Sequence, residues 1–296
     1  MVVEKQYFEA EDGAQLFGLL HKSNENKKKK ILIATHGMGS GCNKKREDCI
    51  AKKLTENGID VLTYDNRGFG LINTVRFPDG KRLQGTVFED VEDGYFDILG
   101  AINHAIKLGY EKIYLQGHSL GSTKTVYAYN KLIENNKTDI LNKIKAVVLL
   151  SLVDVTEVMN YLIKEADNDI VEIALEKERN DELTSVITTK SSFMPYTSCK
   201  TFLRYYRDNK NIDFAKYTTD GFEFTKLNNI NVPIFMRWGN VNELISLSAD
   251  ELSILLNNKL RQDIKDIDYV DGATHNYSGK EDILAQQILE FLMKVK

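Results

Sequence analysis

The spacing of apolar and polar positions changes period several times along the chain, and each change marks an element. Residues 2–22 carry two apolar stretches, at Tyr7-Phe8 and Leu16-Phe17-Gly18-Leu19-Leu20, broken at Glu11-Asp12-Gly13, which predicts an antiparallel hairpin around a turn. Short β-rich runs at 30–35, 60–65, 112–117 and 145–152 are separated by segments of helical period near 43–57, 88–108 and 119–134. Strands alternating with amphipathic helices imply right-handed βαβ units on a parallel sheet, so the expected fold class is α/β. Two later strands, Pro233 to Trp238 and Ile264 to Val270, and a closing helix from Lys280 to Lys296 extend the pattern to about eight strands.

Residues 154–232 interrupt it, because one crossover helix needs only about a dozen residues. From Thr156 to about Asn209 the spacing of Val158, Leu162, Ile163, Ala166, Ile170, Ile173 and Ala174 is helical. This predicts a mostly helical cap, residues 156–229, inserted after the sixth strand, with 1–155 and 230–296 forming the core. Only three prolines and no Gly/Ser-rich linker interrupt the chain, which favours one domain with an insertion over two domains. The run Lys27-Lys28-Lys29-Lys30 reads as a solvated turn before a strand.

Composition narrows the function. Hydrophobic residues make up 42% and charged residues 28% of 296, enough apolar material for a sizeable core. Thirty-nine Lys plus Arg against 43 Asp plus Glu leave a net charge of -4, without the basic excess of a nucleic-acid binder. Cys42, Cys49 and Cys199 form neither a disulfide framework nor a metal-ligand spacing, so no metal and a reducing, cytoplasmic setting are expected. The start of the chain has no apolar signal-peptide stretch. The longest apolar run, Ala146 to Val153, is well short of the roughly 20 residues that span a bilayer, so no stable membrane anchor is expected.

The chemistry concentrates at Gly117-His118-Ser119-Leu120-Gly121, between a strand and a helix, which fits the Gly-x-Ser-x-Gly nucleophile elbow. A strand that reverses sharply into a helix projects its central side chain, and small neighbours let adjacent backbone pass. Ser119 is the expected nucleophile and needs a base. His21 lies in a strand, His104 on a helix, His36 directly after a strand, and His118 should point away from the active face. His275 is left, in Asp271-Gly272-Ala273-Thr274-His275, after the last strand and at the same sheet edge as Ser119. The glycine-rich loop Thr35-His36-Gly37-Met38-Gly39-Ser40-Gly41 suits an oxyanion site, with the Met38 and Leu120 N–H groups as donors. It lacks the Gly-Lys-Ser/Thr and Gly-x-Gly-x-x-Gly patterns of nucleotide binders.

Taken in order, His36-Gly37, Asp65-Asn66-Arg67-Gly68-Phe69-Gly70, the elbow, Trp238-Gly239 and Gly272-Ala273-Thr274-His275 resemble the α/β-hydrolase superfamily over nearly the whole chain. Within it the layout and Met194-Pro195-Tyr196-Thr197 are similar to serine esterases and to feruloyl- and siderophore-ester hydrolases. The resemblance implies cofactor-free hydrolysis of a small-molecule ester, thioester or amide. It also reads Asp65 and Arg67 as part of a charged, hydrogen-bonded tie between loops rather than as catalytic. Family members usually carry an Asp about three residues after the glycine ending the late strand, but Asn242 stands there in Gly239-Asn240-Val241-Asn242-Glu243. Three readings of the acid follow: Glu243, whose longer side chain can reach His275; Asp154, at the other sheet-edge position some members use; or Asn242 with no acid. The expected activity is that of a carboxylesterase or thioesterase forming an acyl-enzyme on Ser119, the alternative being a weakly active or non-catalytic ligand binder. The aromatic stretch Phe193 to Tyr206, with Tyr196, Phe202, Tyr205 and Tyr206, reads as cap core or as pocket lining. The pattern says nothing of oligomeric state.

Overall fold

The computed structural model describes residues 1–24, 29–166, 169–207 and 209–295; Lys27 and Lys28 of the lysine run lie outside them. In chain order the first strands are β1 (Val2–Glu9), β2 (Gln15–Lys22) and β3 (Lys30–Thr35). Helix α1 (Lys45–Thr55), strands β4 (Asp60–Asp65), β5 (Asn73–Phe77) and β6 (Gly80–Gln84), and helix α2 (Gly94–Lys107) follow. Strand β7 (Lys112–His118), helices α3 (Leu120–Glu134) and α4 (Thr138–Leu141), and strand β8 (Ile144–Leu150) carry the chain through the elbow. After β8 come α5 (Val155–Glu165), α6 (Asp169–Arg179), β9 (Val186–Thr188), β10 (Tyr196–Ser198), α7 (Cys199–Tyr206) and α8 (Thr225–Asn228). Strand β11 (Ile234–Val241), helix α9 (Ala249–Lys259), strand β12 (Lys265–Thr274) and helix α10 (Glu281–Lys294) close the molecule.

Eight strands form one sheet in the order β1-β2-β4-β3-β7-β8-β11-β12. The first two contacts, β1 with β2 and β2 with β4, are antiparallel, and the rest are parallel. This is the mostly parallel α/β sheet that the alternation predicted. Both faces are covered because alternate strand residues point to opposite sides. Ile31, Ile33, Leu115, Val147 and Leu149 pack with α2, α3 and α9 in one buried cluster. Leu32, Ala34, Tyr114, Val148 and Leu150 pack with α1 and α10 in the other.

A third buried cluster covers the carboxyl end of the sheet, where Val155, Met159 and Leu162 of α5 meet Phe202 and Leu203 of α7, with Leu120 and Val153 beneath. Helix α5 begins where the Asp154 side chain accepts the Glu157 N–H (3.0 Å) and so satisfies a free amide of the first turn. Its buried residues recur at i, i+4 and i+7, the spacing of one helix face.

Three details differ from the sequence expectation. The hairpin β5–β6 turns at Pro78-Asp79-Gly80 in a stretch to which the pattern assigns no element, and that tripeptide is itself a turn signal. A second short hairpin, β9–β10, interrupts the region expected to be mostly helical. Strand β8 ends at Leu150 rather than 152, because Ser151 takes φ +45° and leaves the extended conformation.

Candidate active site

Ser119 lies between β7 and α3 with φ 54° and ψ −127°, a region in which a residue with a Cβ is strained. The glycines make the turn possible by close approach. A Cβ on Gly117 would sit 2.5 Å from Ser122 Cα, and one on Gly121 would sit 2.7 Å from the His36 carbonyl. The turn is further held by the Ser119 N–H donating to the Leu150 carbonyl (2.8 Å) and the Ser122 hydroxyl donating to the same oxygen (2.9 Å).

His275 follows the last residue of β12. That strand runs to Thr274, beyond the expected end at Val270, because the β11–β12 register shifts between Gly239 and Val241 and pairs Val241 with Thr274. The shift brings His275 Nε2 to 2.9 Å from Ser119 Oγ. His275 Nδ1 lies 2.6 Å from Glu243 Oε2. With the carboxylate accepting Nδ1–H, the free lone pair of the ring is on Nε2 and faces the serine hydroxyl.

Of the three residues weighed as the acid, the structure brings Glu243 to His275. Asp154 Oδ2 instead accepts the Tyr217 N–H (3.1 Å), with its other oxygen on the Glu157 N–H, and burial pushes its carboxyl up to about 6. Asn242 occupies a left-handed turn at φ 54°, and this turn lets the next residue reach back. Glu243 Oε1 accepts the Gly239 N–H (2.8 Å) and the Ser151 hydroxyl (2.8 Å). Sequence reasoning missed Ser151, which reads as one more position of the apolar run that forms β8.

The loop after β3 passes directly against the elbow: a Cβ on Gly37 would lie 2.9 Å from Ser119 Cβ and 3.4 Å from Leu120 N. Met38 and Leu120 both line the cavity at Ser119, and neither backbone N–H donates to a protein acceptor among the described residues. His36 anchors this loop. Its Nδ1–H donates to the Gly37 carbonyl (2.8 Å) and its Nε2 accepts the Asn66 N–H (3.1 Å), while the Asn66 side-chain amide donates to the His36 carbonyl (3.1 Å). Burial, and after it the Lys124 charge, pulls the His36 ring down to about 3, so it stays neutral. Lys124 donates to Asn66 Oδ1 (3.1 Å) and pairs with Glu89, both ends of the pair being buried.

One expectation needs correction. His118 does not point away: its ring lies 5.1 Å from the His275 ring and its Nε2–H donates to the His275 carbonyl (2.8 Å). Burial holds it well below the usual histidine range, and the Arg46 charge adds to the effect. The loop of Asp65 and Arg67 does tie its neighbours through charged hydrogen bonds: Arg67 donates to Asp97 (2.8 Å) and Asp12 (2.9 Å), and Asp65 accepts the Cys42 N–H (2.7 Å). Each side chain ties a different segment to this turn.

A cavity of about 290 Å³ opens at Ser119 and His275. Apart from the polar groups beside the serine, its walls are apolar, with Val153, Val158, Met159, Phe193, Met194 and Leu244 among them. The aromatic stretch therefore divides. Phe193 and Tyr205 line the cavity, Phe202 is buried in the cluster above it, and Tyr196 and Tyr206 are exposed.

Among curated proteins no sequence relative matches. Solved structures share the fold at low identity. Est1E from Butyrivibrio proteoclasticus with ferulic acid bound is 18% identical with a TM-score of 0.62, covering 97% of this chain and 98% of its own. The α/β hydrolase GrgF from Penicillium sp. sh18 is 16% identical with a TM-score of 0.65, covering 100% and 99%. The esterase domain of a Rhodothermus marinus protein is 14% identical with a TM-score of 0.61, covering 100% and 99%. The profile of the family described as serine aminopeptidase, S33, matches residues 26–281, and the chain belongs to that family of α/β hydrolases.

Proposed function

We propose that the protein is a serine hydrolase that cleaves an ester or thioester of a small, uncharged acyl or aryl group through an acyl-enzyme on Ser119. The observation that carries this is the continuous hydrogen-bond chain Ser119–His275–Glu243 at the mouth of an apolar cavity. Ser119 Oγ attacks the carbonyl carbon as its proton passes to His275 Nε2, and Glu243 stabilises the imidazolium that forms. The oxyanion accepts the Met38 and Leu120 N–H groups at the start of α3, where the helix dipole also favours negative charge. Collapse of the tetrahedral intermediate expels the alcohol or thiol, which takes the proton from Nε2. Water then releases the acid by the same steps in reverse roles.

The family name raises a peptidase reading, and the cavity speaks to it. An aminopeptidase must bind a free α-ammonium, which calls for a carboxylate in the acyl site, since an unpaired buried charge is strongly disfavoured. None of the described residues lining the cavity is acidic. Its volume is at the small end of ligand sites, which suits a short acyl or single-ring aryl group. A non-catalytic ligand binder has less support, because such a protein has no need of a base oriented by a three-fold-anchored carboxylate. The three cysteines are free, which fits a reducing, cytoplasmic setting. No helix among the described residues is long and apolar enough to cross a membrane.

The test compares p-nitrophenyl butyrate and p-nitrophenyl benzoate with an aminoacyl p-nitroanilide, all at pH 8. Faster turnover of the esters by at least a hundredfold is the expected result. Preferred cleavage of the aminoacyl anilide would overturn the ester reading, and turnover of none of them would favour the binder.

A further inference from the structure

Ser151 is fully buried, sits at φ +45° immediately after β8, and belongs to neither the nucleophile turn nor the histidine loop. Its backbone N–H donates to the Arg237 carbonyl (2.7 Å), which fixes the residue against β11. Its hydroxyl lies 2.8 Å from Glu243 Oε1, 3.0 Å from the Tyr277 hydroxyl and 3.3 Å from the His275 carbonyl. Tyr277 is also fully buried and also left-handed, at φ 59°, and its hydroxyl lies 2.7 Å from the Arg237 carbonyl. Two side-chain-bearing residues in a strained backbone region thus meet by their hydroxyls behind one carboxylate. Strain of this kind persists only where surrounding structure holds it, and it clusters at functional sites.

The geometry points to Ser151 as a positioning residue for Glu243: its hydroxyl fixes the carboxylate rotamer and neutralises part of its charge, and Tyr277 orients that hydroxyl. The inference rests on the reading of Ser119, His275 and Glu243 as the reacting set. Its physical reason is the displaced acid. Glu243 stands one residue beyond the usual place of an Asp and has one more methylene, hence one more rotatable bond to hold. The Gly239 N–H and the Ser151 O–H grip Oε1 so that Oε2 is left for His275. The Ser151 hydroxyl has one hydrogen. The Glu243 charge draws it, and the Tyr277 hydrogen then has Ser151 Oγ and the Arg237 carbonyl as acceptors. The other titratable or charged groups that act on this cluster are His118, Arg46 and Tyr217, and none of them hydrogen-bonds Ser151 or Glu243 among the described residues.

Ser151→Gly separates the hydroxyl from the backbone, because glycine takes φ +45° without steric cost. The measurement is the pH dependence of kcat/KM for a p-nitrophenyl ester, alongside the rate at which a fluorophosphonate labels Ser119 and the thermal midpoint. With one donor removed, Glu243 keeps two and stays in place, but it presents more charge to the imidazolium. The acid limb of the profile should therefore move to higher pH, by roughly half a unit, with labelling slowed by up to about threefold on that limb and unchanged on the plateau. Tyr277→Phe changes a hydroxyl and no backbone, and should move the limb the same way by a smaller amount; it also keeps the inference testable if Ser151→Gly does not fold. Profiles of both variants superimposed on wild type would overturn the inference while leaving the reacting set standing. Failure of the wild type to label at Ser119 would overturn both.

Discussion

Replacing Glu243 with Gln is the substitution whose outcome follows most directly from the geometry. Two of the three donors on the carboxylate, the Gly239 N–H and the Ser151 O–H, converge on Oε1. The glutamine carbonyl takes that place, because the amide nitrogen has no lone pair to offer two donors. The –NH2 is then directed at His275 Nδ1 and makes it an acceptor, so the ring proton moves to Nε2. Nε2–H facing Ser119 Oγ at 2.9 Å is the wrong tautomer for a base. An Asp→Asn change with the same consequence in a serine protease lowers kcat about 10⁴-fold, equivalent to roughly 5.5 kcal/mol of activation free energy. Because Glu243 Oε2 meets the ring at 2.6 Å, a short charge-assisted bond, the loss here should be of the same order, about 10³ to 10⁴ in kcat with KM changed less than threefold. Steady-state kinetics on p-nitrophenyl butyrate from pH 6 to 9, with circular dichroism as a check on folding, reads this out. Activity of folded Glu243→Gln within tenfold of wild type would refute the reasoning, and a large loss in Asp154→Asn instead would transfer the role to Asp154.

Further outcomes follow from other parts of the site. Ser119→Ala should abolish acylation and leave the melting curve nearly unchanged, whereas Ser119→Gly, relieved of the positive φ, should be more stable than the alanine variant by about 1 kcal/mol in urea titration. Asp154→Asn should retain kcat/KM within threefold. Its pH effect has a definite sign. Burial raises the folded carboxyl to about 6, so its contribution is fully present below the unfolded value near 3.8 and is lost as pH rises through 6. Wild type should therefore lose roughly 2 kcal/mol relative to Asp154→Asn between pH 4 and 6.5, and parallel stability curves would contradict this. Lys124→Met leaves Glu89 buried without its partner and should cost about 3–5 kcal/mol by denaturant unfolding, most of it recovered in Lys124→Met/Glu89→Leu. If the double variant is no more stable than the single, the pair is not what holds that region.

The sheet was legible because its signals are local and strong. Runs such as Ile31–Thr35 and Ala146–Leu150 are buried on both faces, and between them the helices show a clear apolar stripe. The elbow was legible because a strand-to-helix reversal with a projecting side chain requires small residues at fixed offsets, here Gly117 and Gly121. The acid was legible only as a choice among Glu243, Asp154 and Asn242, since reach from the late strand depends on a register shift at Gly239/Val241 and a left-handed Asn242, and neither has a pattern in composition or period. Ser151 was hidden for a related reason. Its backbone departs from the strand at a position where the sequence continues apolar, through Leu152 and Val153, so only coordinates reveal the hydroxyl turned toward Glu243. The hairpin β5–β6 did have a signal, Pro78-Asp79-Gly80, but its strands are short, with only Val75 and Phe77 buried in β5 and none buried in β6, so neither stands out as an apolar run.

The central claim is that Ser119 becomes covalently acylated. Intact-protein and peptide mass spectrometry on separate samples, one mixed briefly with a fluorophosphonate and one with p-nitrophenyl butyrate quenched within the burst, tests it most directly. The account predicts a single adduct on the peptide containing Ser119, formed in seconds at pH 8, absent from Ser119→Ala and slowed at least a hundredfold in Glu243→Gln. Ester turnover by folded wild-type protein with no adduct on Ser119, or with the adduct on another residue, would contradict it.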